Sequence, residues 1–351
     1  MCRKLTYCGR GGNCLKNFDE ARFVRIQSGA VALQERLAET VKGCLERGAD
    51  SAFFLGTGGA GILMEPAALL LGERSTIASF CLAPAELCLL GHAQLSARSL
   101  VVMPSLSGTT RESITALEYV KSRGATVLVL SGDADSPLAR GTPHAFINPA
   151  ADDTSSESFY IQSLVIALSV MSARAECGDY ARIVREIAAL PALLLEVKRA
   201  FEADAARHAQ RLADHDYHII SSAGGSWPEA HYYGMCILEE MQWIRTRPVH
   251  AANFFHGTLE LVEKGVPVLL LKGEDRARPL VDRVEKFCRQ YTDLLTILDT
   301  ASFALPGISA DTRALLSPVL LATVLERISA HLEVIRDHPL TTRRYYKRVA
   351  Y

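Results

Sequence analysis

Apolar residues recur in steps of three and four along residues 20–49, at Ala30, Leu33, Leu37, Val41 and Cys44. That spacing predicts one helix with a single buried face, ending near Gly48. A short continuous apolar run of strand length follows, Ala52-Phe53-Phe54-Leu55. Gly56-Thr57-Gly58-Gly59-Ala60-Gly61 interrupts it, and an apolar helical segment resumes from Ile62 to Leu71. The same order returns with a strand at 99–104, a polar turn from Ser105 to Glu112 and a helix from Ser113 to Arg123. A further strand, Ala125–Leu130, precedes a short helix over Asp135–Ala139, and an apolar helix spans 154–176. Residues 180–213, rich in Ala, Leu, Glu and Arg, read as a helical connector interrupted at Pro191.

Beyond the connector the pattern starts again. Tyr217–Ser222 reads as a strand, Ala223–Pro228 as a glycine-containing turn and Glu229–Ile244 as a long helix. Strands at 266–271 and 294–298 and a helix at 319–336 complete it. Strands alternating with helices predict the α/β class, with doubly wound parallel sheets flanked by helices. The repeated strand–glycine turn–helix start predicts two tandem units. The expected organisation is a leader at 1–20, a first unit at 21–178, a connector at 179–213, a second unit at 214–337 and a tail at 338–351.

Composition narrows the function classes. With 351 residues, 49% hydrophobic and 22% charged, the chain has globular composition and room for two cores. A net charge of −1 with interspersed signs lacks the basic footprint of a general nucleic-acid binder. No uninterrupted apolar run reaches the ~20 residues of a membrane span, and no apolar signal core follows Met1-Cys2-Arg3-Lys4. The nine cysteines are scattered, as buried reduced thiols of a cytoplasmic protein would be. Cys2, Cys8 and Cys14 do not have a zinc spacing.

Ligands of such sheets bind outside the carboxyl ends of the strands, where the two polar turns of the first unit fall. The turn at 105–110 carries four hydroxyls, of Ser105, Ser107, Thr109 and Thr110, around Gly108 at a helix start. Capping by Ser107 or Thr109, with Glu112 completing a capping box, accounts for one or two of them. Hydroxyls and N-terminal amides together suit a phosphate monoester. In the second unit, Glu239, Glu240, His250 and His256 form a candidate proton-transfer group, with Glu229 and His231 as rivals on the same helix. Glu239 and Glu240 point about 100° apart on a helix, so one of them faces any pocket. Helix geometry alone does not choose between them.

Two tandem units with Gly-Thr-Gly-Gly and Ser-x-Ser-Gly-Thr-Thr turns resemble the sugar isomerase (SIS) domain family, from about residue 25 to the C-terminus. Met241-Gln242-Trp243, the stretch Phe254–Leu261 and His338-Pro339-Leu340-Thr341-Thr342-Arg343-Arg344-Tyr345 are similar to segments of the deglycases that split 6-phosphorylated Amadori compounds. The isomerase half of glucosamine-6-phosphate synthase is a more distant likeness. The stretch before residue 21 is too short for that enzyme's glutaminase domain.

The resemblance implies roles. Glu240 matches the family's general base and His256 its general acid. Ser105, Ser107, Gly108 and Thr110 match phosphate-binding positions. Thr57, Gly58, Gly59 and Gly224 belong to the sugar side. It implies no cofactor and no metal, a phosphorylated sugar-amine substrate, and a homodimer or larger assembly in which His256 serves the neighbouring subunit's site. It also implies that the tail closes over the active site. Two positions depart from the family, Ala60 where serine is common and Asn253 where glutamate is common, and both bear on which amine is accepted. An aldose–ketose isomerase or amino-sugar-phosphate deaminase is the rival enzyme. A non-catalytic sugar-phosphate-binding regulator is the rival of another class.

Overall fold

The computed structural model describes residues 15–151, 153–346 and 348–349. Cys2, Cys8 and Cys14 lie outside them. The end of the expected leader is packed: Leu15 is buried, and the carbonyl of Lys16 accepts from both terminal nitrogens of Arg327, each at 3.0 Å.

Two parallel sheets organise the chain. The first has five strands in the order β2-β1-β3-β4-β5: β1 Ser51–Leu55, β2 Ala78–Leu82, β3 Ser99–Ser105, β4 Thr126–Ser131 and β5 His144–Ile147. The second has four in the order β7-β6-β8-β9: β6 Tyr217–Ser222, β7 Arg245–His250, β8 Val268–Lys272 and β9 Leu295–Asp299. The orders match strand for strand, with β6 in the place of β1 and β8 in that of β3. The tandem α/β expectation holds in this sense.

Three strands that the apolar pattern missed, β2, β5 and β7, are all sheet edges. Edge strands are covered on fewer sides, so they need no continuous apolar run. All of β2 is half-buried, and β7 carries two exposed arginines and Pro248. Two helices also differ from expectation. Residues 20–49 form two helices, Glu20–Ala32 and Gln34–Glu46, broken at Leu33. The helix expected to reach Ile244 starts at Trp227 and stops at Glu239, because its second half, Tyr233–Glu239, is π-helical. Five-residue hydrogen bonds close that segment, Glu240 N–H to Met235 O and Gln242 N–H to Ile237 O, both 3.1 Å. Trp243 then turns the chain into β7 with φ +57, a left-handed conformation that bulky residues rarely adopt.

The largest hydrophobic cluster draws on both units. Ser155–Ala173 and Ala310–Ile335 run through it buried on almost all sides, which their all-round apolar composition requires. Ala310–Ile335 is long and apolar enough to cross a membrane by length and composition, but most of it is interior to the fold. The connector is equally built in. Tyr180–Ala188 and Leu190–Ala213 break at Ala189, and Pro191 sits in the first turn, where its missing N–H removes no helical bond. From the second of these helices the fully buried Lys198 reaches Glu157 at 3.0 Å, Glu326 at 2.8 Å and the Thr323 carbonyl at 3.1 Å. The ammonium leaves water only because three oxygens replace it. Through Glu157 and Glu326 it ties the two central helices together.

Candidate functional site

The hydroxyl-rich turn leaves β3 at Ser105 and enters the helix Arg111–Ser122. Gly108 has φ +60, and a side chain there would overlap the Ser136 hydroxyl at 2.1 Å, so the turn requires glycine. The Ser105 oxygen accepts from Gly108 N–H at 3.1 Å and shapes the turn from below. Ser107 accepts from the Thr109 hydroxyl at 3.0 Å. The expected cap by Ser107 or Thr109 does not form: the cap residue is Thr110, and its side chain makes no capping bond. The helix thus presents its first N–H groups uncapped beside several hydroxyls, the arrangement that favours an anion.

The neighbouring glycine turn, after β1, joins this loop to the second unit. The hydroxyls of Thr57 and Ser113, the latter in the first turn of Arg111–Ser122, lie 3.3 Å apart. Gly59 packs against the helix Trp227–Glu239: a Cβ there would fall 2.7 Å from Tyr232 Cε2 and 3.2 Å from Cys236 Sγ. Cys236 lies one turn before Glu240, whose charge adds to burial in pushing that thiol up to about 12. The chain therefore links the hydroxyl-rich turn to Thr57 through Ser113, and the glycine turn to the helix Trp227–Glu239 through Gly59.

Glu240 follows the π segment. π turns recur at functional sites because they re-aim side chains. Its carboxylate is about one-third exposed and pairs with Arg343 Nε of the tail at 2.9 Å. Glu239 points away, accepting from the Thr246 hydroxyl of β7 at 2.5 Å. The geometry separates the two carboxylates that helix spacing left equivalent. The rivals are engaged elsewhere. Glu229 is buried, accepts from Tyr160 Oη at 2.7 Å, and is held well above the usual carboxylate range by burial. His231 stacks on Trp227, with the His250 ring edge-on to the same indole, and burial lowers both imidazoles.

Two expected site residues stand apart. His256 is exposed after the short helix Ala251–Phe254, its N–H bonded to Asn253 O at 3.0 Å. No contact joins its ring to Glu240 among the described residues. Gly224 lies in the turn after β6 against the Asp275 carboxylate, which accepts from Gly225 N–H at 2.8 Å.

Sequence reasoning singled out the tail that holds Arg343 but not its pairing with Glu240, and it did not single out Glu65. Glu65, at the start of Glu65–Arg74, is raised by burial to about 7. Neither has a spacing signal, since the Arg343 pair spans about a hundred positions and the burial of Glu65 comes from tertiary packing. Among the described residues no cluster has the composition of a metal site.

Two parallel α/β units, each opening on a strand and a glycine-containing turn, define the class. A family model for the SIS domain matches residues 47–173. The chain is 30% identical over 308 residues to the fructosamine deglycase FrlB of Bacillus subtilis, covering 86% of this chain and 93% of that protein. It is 28% identical over 307 residues to a fructoselysine 6-phosphate deglycase of Escherichia coli, covering 87% and 88%. The solved structure of a candidate phosphosugar isomerase from Salmonella typhimurium matches with a TM-score of 0.85 at 26% identity, over 91% of this chain and 97% of that one. The chain belongs to the SIS-domain family.

Proposed function

We propose that the protein is a phosphosugar enzyme, specifically a deglycase that hydrolyses a 6-phosphorylated Amadori compound to glucose 6-phosphate and a free amine. The observation that carries this reading is the joining of the uncapped Ser105–Thr110 turn to Glu240 through Thr57, Gly59 and Cys236. The names of the two relatives support the substrate class.

The turn binds the phosphate through Ser105, Ser107, Gly108 and Thr110, and Thr57, Gly58 and Gly59 lie along the sugar. Binding energy from the phosphate, remote from the reacting carbon, holds C1 near Glu240. In the open-chain ketosamine, Glu240 takes a C1 proton and the electron pair forms the C1–C2 enaminol. Protonation at C2 gives the C1 imine. Water adds at C1, the C–N bond breaks, and the aldehyde and the amine leave. His256 opens the ring and protonates oxygen. Its exposure supports delivery to a second copy of the chain, and so a homo-oligomeric enzyme. Proton transfer beside a carbonyl requires no cofactor. The reading carries a cytoplasmic location with it, where phosphorylated sugars are formed and used.

Glucose 6-phosphate release from a panel of fructosamine 6-phosphates tests this, with fructose 6-phosphate and glucosamine 6-phosphate as controls. Turnover of the Amadori compounds alone is the expected result. Turnover of either control identifies the isomerase or deaminase, and binding without turnover identifies the regulator.

A further inference from the structure

The tail that follows Ala310–Ile335 is fastened beside Glu240 at several points. Gln242 Nε2 donates to the His338 carbonyl at 2.6 Å, and Leu340 N–H donates to Glu333 at 3.1 Å. The His338 ring meets Trp243 edge-on with centroids 4.5 Å apart. The Arg344 guanidinium lies 3.8 Å over the Trp243 ring. Between these anchors sits Arg343. Its Nη1 donates to the carbonyls of Leu340 at 2.7 Å and Thr342 at 2.8 Å, so its own turn fixes the guanidinium plane. The remaining edge forms an ion pair with Glu240, Nε lying 2.9 Å from a carboxylate oxygen, and the Arg343 side chain is only 14% exposed. A guanidinium fixed in this way sets where the carboxylate's partner charge lies, which a flexible ammonium would not.

We infer that Arg343 is a positioning residue: it holds the Glu240 carboxylate ionised and pointed at the carbon from which it takes a proton. The inference rests on the deglycase reading for the role of Glu240.

The groups around Glu240 define the charge it meets. From its own helix comes Cys236, a thiol that burial keeps neutral. Glu239 is turned toward Thr246 on β7. From the tail come Arg343 directly, and Arg344 and His338 on the two-ring stack with Trp243. Of these groups, Arg343 is the one paired with the carboxylate, and it is cationic. A cation at this range favours the ionised carboxylate, so the base stays unprotonated to lower pH. Removing it moves the acidic limb of activity to higher pH.

The test measures pH profiles of kcat and kcat/KM with a synthetic fructosamine 6-phosphate for wild type, Arg343→Ala, Arg343→Lys and Arg344→Ala. Binding of glucose 6-phosphate and melting temperature are followed in parallel. Arg343→Ala is expected to move the acidic limb up by about one pH unit and to lower kcat roughly 10–100-fold. Glucose 6-phosphate binding is expected to stay within about twofold, since the phosphate contacts lie in the other unit. Arg343→Lys restores the limb but only part of kcat. Arg344→Ala loosens the stack and leaves the limb where it was. An unmoved limb in a folded Arg343→Ala protein overturns the inference. A rise in kcat/KM overturns it too, showing a latch that substrate must open. Glu240→Gln is the separate control: if it turns over normally, the base assignment itself fails, whatever Arg343 does.

Discussion

The turns after β3 and after β8 occupy the same place in their sheets and behave oppositely. Each leaves the strand that pairs with the first strand of its unit, and each faces that unit's glycine turn. After β3 the chain offers neutral hydroxyls and an uncapped helix start. After β8 it offers Gly273-Glu274-Asp275-Arg276-Ala277. There the Asp275 carboxylate accepts from Gly225 N–H of the glycine turn at 2.8 Å and from Ala277 N–H at 2.9 Å. The second unit answers its own donors with its own anion, and the first leaves its helix start without a side-chain cap. A repeated topology does not repeat a site. What decides is whether the donors at the strand ends are already satisfied. The second unit contributes instead the helix end that carries Glu240, and under the proposed function one unit holds the substrate and the other reacts with it.

The largest expected effect breaks the reacting half. Glu240→Gln lowers turnover by about 10²–10⁴-fold, the usual contribution of a positioned base, measured by glucose 6-phosphate release. Glu239→Gln, whose amide oxygen can still accept from Thr246, stays within about threefold. If both variants fell equally, the separation of the two carboxylates would be wrong.

Next come changes in the holding half. Removing two hydroxyls together, Ser107→Ala with Thr110→Ala, costs about 1.5–3 kcal/mol of phosphate binding. That raises KM roughly 10–100-fold while kcat changes little. Gly108→Ala places a side chain on Ser136 at φ +60 and costs about 1–3 kcal/mol of stability. Chemical denaturation reads that loss.

How much of this was legible in the sequence follows the same divide. The interior strands stood out because burial on both faces demands apolar runs, and the edge strands β2, β5 and β7 did not because most of their residues are only partly buried. The hydroxyl turn was visible as an excess of Ser and Thr beyond what capping needs. Asp275 was invisible, since an acidic residue in a loop has no periodicity and gains its meaning from Gly225, fifty positions away. The choice of Glu240 over Glu239 came from likeness to a family. Its physical basis, the π segment and the bond from Thr246, lies in contacts no spacing encodes.

The smallest expected effect sharpens the contrast from the other side. Asp275→Ala leaves the N–H groups of Gly225 and Ala277 without their acceptor, and stability falls by about 1–3 kcal/mol. Affinity for glucose 6-phosphate stays within about twofold. A large loss of affinity would mean that the second turn takes part in binding after all.

The division between a holding and a reacting unit is tested most directly by calorimetric titration of glucose 6-phosphate into three proteins: wild type, Glu240→Gln and the Ser107→Ala, Thr110→Ala double variant. The account predicts near-equal affinity for the first two and a loss of roughly tenfold or more for the third. A double variant that binds as tightly as wild type, or a Glu240→Gln protein that loses binding to the same degree, would contradict it.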